Sequence, residues 1–384
     1  MRIGFDVSQT GRLKAGCGYF ADSLIRYLAD IDSDNEYILY PTFGDFYWDP
    51  DWPTTTCQIS RPNVRPGLGH RTLAAAQLLW SCPATDLETQ LGNPDIIHAN
   101  NFFCPVGLKK ARLVYTLYDL GFVEHPDWTT ERNRTGCFDG VYNASLYADL
   151  IIAISDYTRR HFLEIFPHYP ADQIIVVYPA SRFLGRTDFA RPDRLPQLQP
   201  ERFWLSVGTM EPRKNYRRLL QAYASLKARR GQTFPLVLVG PQGWLMDDFE
   251  KTIDDLFLRQ DLILLGYVDD RALQWLYQNC FAFVYPSLFE GFGLPVLEAM
   301  SLGASVIASG STSLPEIIEE AGILIDPLSD EAIFLAMLRL STDAEFRATL
   351  KERAFRQAAK FAWGTTARAV LEGYRDVLSR GGGR

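Results

Sequence analysis

Glu290 and Glu298 stand eight residues apart in the run from Tyr285 to Met300, YPSLFEGFGLPVLEAM, with Gly291 and Gly293 between them. That spacing puts the first carboxylate on a glycine-rich loop and the second just inside the helix that follows. Carboxylates accept hydrogen bonds from vicinal hydroxyl pairs, so two placed this way suit a sugar and a ribose at opposite ends of one ligand. The backbone N–H groups of Phe292, Gly293 and Leu294 then face whatever anion joins those ends. A helix-terminal charge at Glu298 and a solvated Glu290 would account for either residue alone. They explain the whole run poorly.

Arg213 and Lys214, in VGTMEPRKN from Val207 to Asn215, are expected to begin a helix, where a basic pair conflicts with the helix dipole unless an anion sits there. A diphosphate would resolve the conflict. The alternative is a solvated basic face, since Arg217, Arg218, Lys227, Arg229 and Arg230 follow. In AGCGYF, from Ala15 to Phe20, Gly16 and Gly18 follow a first strand and open a helix. The N–H groups of such a helix start can face a phosphate, which glycine lets approach closely, although a plain turn uses the same residues. LGYVDD, from Leu265 to Asp270, reads as a strand end and helix start with Asp269 or Asp270 as cap. Main-chain groups of Tyr267 and Val268 there could pair with the edge of a base, the plain cap being the other reading.

These loops must be held by a regular frame. Short β-branched or aromatic runs bounded by turn residues recur at Ile3 to Val7, Tyr37 to Tyr40, Ile96 to Ala99, Leu113 to Leu117, Leu150 to Ile154 and Ile174 to Tyr178. Between several of them lie helical spacings, as in Gly18 to Ala29, where Phe20, Leu24, Ile25 and Leu28 share one face. The alternation implies a parallel sheet with right-handed crossovers. The stretch Ser181 to Glu201 has the composition of a linker. After it the strand pattern restarts at Phe203 to Val207, Pro235 to Val239, Leu262 to Leu265, Phe281 to Tyr285, Ser305 to Ala308 and Ile323 to Ile325. The expected organisation is α/β, with two doubly wound domains over 1–185 and 186–364. A terminal helix within 365–384 could return to the first domain, which periodicity alone does not decide. Ligands of such sheets bind beyond the carboxyl ends of the strands, where all four loops lie.

With 384 residues, 47% of them hydrophobic, the chain can build two cores. A net charge of −7 offers no global field for a phosphate polymer, so nucleic acid is not an expected partner. The six cysteines lie far apart with no CxxC pair, which indicates neither a zinc site nor a disulfide framework. With no apolar leader and no long apolar run, the expected location is cytoplasmic, with peripheral contact to a membrane left open.

VGTMEPRKN, LGYV and FEGFGLPVLEAM, in this order and spacing, resemble the retaining nucleotide-sugar glycosyltransferases of family 4, which have the GT-B fold. AGCGYF, PDIIHANNF and LIIAISDYTRR resemble the family's first-domain loops and strand ends, so the similarity spans nearly the whole chain. The resemblance implies that Arg213 and Lys214 bind the donor diphosphate, that Glu298 holds the ribose, and that Glu290 meets the transferred sugar with Gly291, Phe292, Gly293 and Leu294. Tyr267 and Val268 would lie near the base, and Gly16 and Gly18 near the phosphates. No metal and no cofactor is implied, because the basic pair and helix start neutralise the leaving diphosphate. The sequence departs from the family in VYTLYDLGF, where Tyr118 stands before Asp119 in place of a histidine. Tyrosine lacks a base that titrates near pH 7. His98, structural or catalytic, is the alternative imidazole, and it joins Asn100 and Tyr118 as an acceptor-side candidate, while Tyr118 and Asp119 join Arg213, Lys214 and Glu290 as catalytic candidates.

The resemblance to bacterial transferases of surface polysaccharide and O-antigen synthesis implies transfer of mannose from GDP-mannose to a glycan or lipid-linked glycan. Rhamnosyl or glucosyl transfer from a dTDP- or UDP-sugar stands behind it. An epimerase or phosphorylase on the same plan, and a catalytically silent sugar-nucleotide binder, are the remaining alternatives.

Overall fold

Runs of valine, isoleucine, leucine and aromatic residues too short for a helix, each closed by a turn, leave the chain one way to bury them, as inner strands covered on both faces. In the computed structural model of the chain, the residues described are 1–12, 14–43, 55–69, 73–100, 103–191, 195, 198–231, 233–245 and 248–380. Asn101 and Phe102 of PDIIHANNF, five residues of the expected linker (192–194, 196 and 197) and the terminal glycines lie outside them.

The strands are β1 (Arg2–Asp6), β2 (Glu36–Tyr40), β3 (Val64–Pro66), β4 (Ile96–Ala99), β5 (Arg112–Leu117), β6 (Leu150–Ala153), β7 (Ile174–Val176), β8 (Trp204–Val207), β9 (Leu236–Val239), β10 (Leu262–Gly266), β11 (Ala282–Tyr285), β12 (Val306–Ser309) and β13 (Ile323–Ile325). The helices are α1 (Gly16–Ile31), α2 (Leu73–Ser81), α3 (Leu87–Gln90), α4 (Gly121–Glu124), α5 (Glu131–Tyr147), α6 (Asp156–Ile165), α7 (Tyr216–Arg230), α8 (Phe249–Asp255), α9 (Asp270–Asn279), α10 (Leu294–Ser301), α11 (Leu314–Ile318), α12 (Asp330–Thr342), α13 (Ala344–Ala358) and α14 (Trp363–Ser379). The chain divides into one unit of Met1–Pro126, Glu131–Pro179 and Ala362–Arg384, and a second of Asp127–Thr130 and Ala180–Phe361. The divisions at Pro179 and Phe361 fall a few residues before those read from the sequence at 185 and 364.

The first unit holds a seven-stranded parallel sheet in the order β3-β2-β1-β4-β5-β6-β7. Every expected strand of this half is present, and β3 is an addition. It has three residues and ends in Pro66, too little for a hydrophobic period, and proline is tolerated because β3 is an edge. α14 belongs to this unit: Trp363 packs on Phe20 and Tyr27 of α1, and Thr366 Oγ1 donates to Tyr178 O at 2.6 Å.

The second unit holds a six-stranded parallel sheet in the order β10-β9-β8-β11-β12-β13. Its strand order reverses between β8 and β11, where Ala282 pairs with Trp204 and Phe283 with Leu205. At such a switch point the loops beyond the two strands diverge and leave a crevice at their carboxyl ends. The loop after β8 contains Arg213 and Lys214, and the loop after β11 contains Glu290. The first unit has its own switch point between β1 and β4, followed by the glycine loop and by Asn100.

Candidate active site

Arg213 and Lys214 lie in a 3-10 turn, Pro212–Lys214, and α7 begins only at Tyr216. The expected helix start at these residues is therefore corrected. Asn215, at φ 60°, breaks the helical path between turn and helix, and its side chain donates to Pro286 O at 2.9 Å and Pro327 O at 2.7 Å. Leu288 N donates to Arg213 O at 2.8 Å, so the loops after β8 and β11 are stitched together by main chain as well.

The stitching brings both cations onto one carboxylate. Lys214 Nζ donates to Glu290 Oε1 at 2.6 Å and to Tyr285 Oη at 2.7 Å, and Arg213 donates to Glu290 Oε2 at 2.8 Å and to Glu211 Oε1 at 2.7 Å. Ser287 Oγ and Tyr285 Oη also donate to Glu290 Oε1, at 2.6 and 2.8 Å. Lys214 is only 8% exposed, so the solvated basic face describes Arg217, Arg229 and Arg230 but not Lys214.

The electrostatics follow from that enclosure. Burial pushes the Glu290 carboxyl up, but Arg213 and Lys214 outweigh it and hold it at about 2. Burial and the neighbouring Arg213 depress the Lys214 ammonium, opposed by Glu290 and Glu211. Arg213 and Lys214 meet two carboxylates, Glu290 and Glu211, so the cluster pairs two cations with two anions. A buried cluster of this kind is a weak source of stability.

Glu298 is the fifth residue of α10, which starts from Gly293 at φ 101°, a backbone conformation that favours glycine, and Pro295 then suits its first turn. A side chain at Gly293 would also strike Leu314, 2.4 Å from a Cβ. Glu298 is buried, with Tyr277 Oη donating to Oε2 at 3.3 Å and Arg182 Nε 3.2 Å from Oε1. The two glutamates thus keep separate partners, Glu290 the Arg213 and Lys214 pair and Glu298 Arg182. Tyr267 and Val268 follow β10, two strands from the switch point, and Asp269 caps α9 by accepting from Ala272 N at 2.8 Å.

In the first unit Gly16 is the first residue of α1, and Gly18 is indispensable to the packing: a Cβ there would lie 2.2 Å from Gln9 O. Tyr118 Oη donates to Cys17 O of this glycine loop at 3.3 Å, and burial pushes the phenol well above its ordinary value. Asp119 Oδ1 accepts from Gly121 N at 3.0 Å. His98 is fully enclosed, with Nδ1 2.5 Å from Tyr374 Oη of α14 and Nε2 2.7 Å from Thr116 Oγ1. Thr116 Oγ1 donates in turn to Asn100 Oδ1 at 2.9 Å, and burial holds the imidazole at about 3. Nδ1 therefore ties the sheet to α14 and Nε2 is held by the neighbouring strand β5, which leaves His98 no exposed surface for an acceptor.

Sequence reasoning missed Glu211, Asn215, Tyr285, Ser287 and Arg182. The first four lie inside the quoted motifs, where their polarity was the only local signal. Arg182 sits in the stretch read as linker and had no signal. Among the described residues no group of three or more His, Cys, Asp or Glu could hold a metal ion, and no helix is long and apolar enough to cross a membrane.

Comparison with known proteins agrees with the fold. The family described as "Glycosyltransferase Family 4" matches residues 17–180, and that described as "Glycosyl transferases group 1" matches residues 191–357. O-antigen chain mannosyltransferase B of Escherichia coli is 36% identical over 288 residues, 73% of this chain and 74% of that protein. Among solved structures, sucrose-phosphate synthase from Thermosynechococcus elongatus aligns with a TM-score of 0.74 at 20% identity, over 99% of this chain and 100% of that one. Anabaena HepE in complex with UDP and glucose aligns with a TM-score of 0.72 at 19% identity, over 98% and 100%. At those identities the two structures speak for the fold alone, which is GT-B. The chain is a glycosyltransferase and belongs to glycosyltransferase family 4.

Proposed function

We propose that this glycosyltransferase moves mannose from GDP-mannose to a hydroxyl of a glycan or lipid-linked glycan acceptor in surface polysaccharide synthesis, with retention at the anomeric carbon and without a metal. The observation that carries the donor reading is the buried Arg213, Lys214 and Glu290 cluster at the switch point of the second sheet. The choice of mannose rests on the similarity to O-antigen chain mannosyltransferase B.

The two cations meet the diphosphate and gain most as the sugar–phosphate bond breaks and charge gathers on the leaving oxygen. Glu290 is a poor nucleophile, because Oε1 already accepts from Lys214, Ser287 and Tyr285 and Oε2 from Arg213. Its work is to aim the two cations and to help recognise the sugar. The acceptor hydroxyl attacks on the face the diphosphate leaves, and the leaving phosphate oxygen takes its proton, so no protein base is required at Tyr118. Glu298 accepts from the ribose hydroxyls. The acceptor is met at the cytoplasmic side of the inner membrane.

A thermal-shift series with GDP-, UDP- and dTDP-sugars tests the donor, because a ligand that binds the folded state raises apparent stability by mass action. GDP-mannose should stabilise most, and stabilisation by UDP-sugars alone overturns the assignment. The product linkage read by NMR should keep the donor's anomeric configuration, and transfer should persist in excess chelator. Inversion sinks the retaining mechanism, and complete loss in chelator sinks the metal-free one.

A further inference from the structure

Glu298 is an acid in an expensive position. It is 5% exposed on a helix whose neighbouring residues Val296, Leu297, Ala299 and Met300 are all buried. Burying an ionised carboxylate without a counter-charge drives it to take up a proton. A protonated Glu298 would have one oxygen turned into a donor, and it would accept a vicinal diol poorly.

The chain supplies the counter-charge from the segment between the strand patterns. Arg182, whose side chain is 12% exposed, puts Nε 3.2 Å from Glu298 Oε1 and 3.7 Å from Asp270 Oδ1. Its segment is pinned on both sides. Ser301 Oγ donates to Ser181 Oγ at 2.7 Å, Gln274 Nε2 donates to Arg186 O at 2.9 Å, and the Arg182 guanidinium lies over the Phe183 ring at 4.8 Å. Asp270 competes for Arg182 but is also met by Arg186 at 3.3 Å. Among the described residues, the groups that act on Glu298 are Arg182 from this segment and Asp270 and Tyr277 from α9.

We infer that Arg182 is a positioning residue of the donor site, holding Glu298 ionised and fixed in orientation so that it can accept both hydroxyls of a nucleoside diol. Arg182 engages one carboxylate oxygen and Tyr277 the other, which leaves a lone pair on each for the diol. Burial pushes the Glu298 carboxyl above its ordinary value even with Arg182 pulling it down, so removing the arginine shifts it further towards the neutral form. The inference rests on the proposed contact between Glu298 and the ribose.

The test measures GDP affinity by calorimetry from pH 5.5 to 8.5 for the wild type, Glu298→Gln, Arg182→Gln and Arg182→Lys, with folding checked by circular dichroism. Loss of a charge-assisted hydrogen bond corresponds to about ten- to hundred-fold in affinity. Arg182→Gln should bind about ten-fold or more weakly at neutral pH, with the deficit widening as pH falls. Arg182→Lys, which keeps the charge, should recover most of the affinity and flatten the profile. An Arg182→Gln protein that binds GDP like the wild type at every pH, or one whose deficit is independent of pH, overturns the inference. Undiminished affinity in Glu298→Gln instead overturns the ribose contact on which it rests. If Arg182→Gln does not fold, carbon-13 NMR of the Glu298 carboxyl in the wild type and Arg182→Lys decides: ionised at pH 7 in both supports the inference, and protonated in the wild type refutes it.

Discussion

Lys214→Ala separates a diphosphate cation from a structural one. The side chain makes two hydrogen bonds, 2.6 Å to Glu290 and 2.7 Å to Tyr285, and is nearly sealed from water. Breaking a lone buried ion pair costs about 3–5 kcal/mol because the partner is left uncompensated. Glu290 is not left so, since Arg213, Ser287 and Tyr285 still donate to it at 2.8, 2.6 and 2.8 Å. The stability loss should therefore fall below that range, at about 1–3 kcal/mol. The effect on the reaction should be larger. A preorganised group that meets charge developing in the transition state is worth about 2.7–4 kcal/mol, two to three decades of rate. The assay is transfer from GDP-mannose at saturating donor, below the variant's melting temperature, with donor affinity measured separately. A kcat reduced by two decades or more in folded protein is expected. Near-normal kcat and donor affinity, with only a lowered Tm, would make Lys214 a structural residue and remove the β8 loop from the donor site.

Glu298→Ala should raise the donor KM by about one to two decades with a smaller change in kcat, since a hydrogen bond to the ribose is worth about 1.5–3 kcal/mol and is similar in ground and transition states; unchanged donor affinity takes Glu298 out of the site. Gly18→Ala should destabilise the first unit by about 1–3 kcal/mol, as overpacking does, because its Cβ would lie 2.2 Å from Gln9 O and 2.8 Å from Lys14 Cβ; a urea melt matching the wild type refutes the close packing. Asp6, which accepts from Ser8 N and Oγ, is raised by burial from 3.8 to about 6, so the folded state binds its proton more tightly than the unfolded chain. That stability is present below the ordinary carboxyl range and lost as pH rises through about 6. His98, lowered by burial to about 3, has the opposite sign and loses stability as pH falls from about 6.5. Asp6→Asn leaves the His98 effect unopposed, and on going from pH 6 to 4.5 it should lose about 1.5 kcal/mol more than the wild type in chemical denaturation; parallel pH profiles refute it.

The two-sheet plan was legible because a buried parallel strand is a local signal. Trp204–Val207, Leu236–Val239 and Ala282–Tyr285 are apolar but for Ser206 and closed by turn residues, so each strand shows in its own few residues. β3, three residues with a proline, carried no such signal. The loops after β8 and β11 were legible for a related reason, since charged residues in glycine- and proline-rich turns after strands stand out from the apolar runs beside them. The turn before α7 was misread because Arg213 and Lys214 run directly into a helical pattern, and nothing in that pattern shows that Asn215 takes a left-handed conformation.

By itself the sequence determined the strand and helix succession, the division into two α/β halves and the residue types offered at each strand end. Tertiary structure alone decided which of those residues meet. Lys214 reaches Glu290 across 76 positions, Arg182 reaches Glu298 from a segment with the composition of a linker, and His98 reaches Tyr374 across 276 positions. Strand and helix periods are set by steric and hydrogen-bonding constraints between near neighbours in the chain, so they can be read in any short window. A pairing of buried charges depends instead on the order in which strands enter the sheet. Here that order sets β8 beside β11, and so turns two ordinary loops into one charged site.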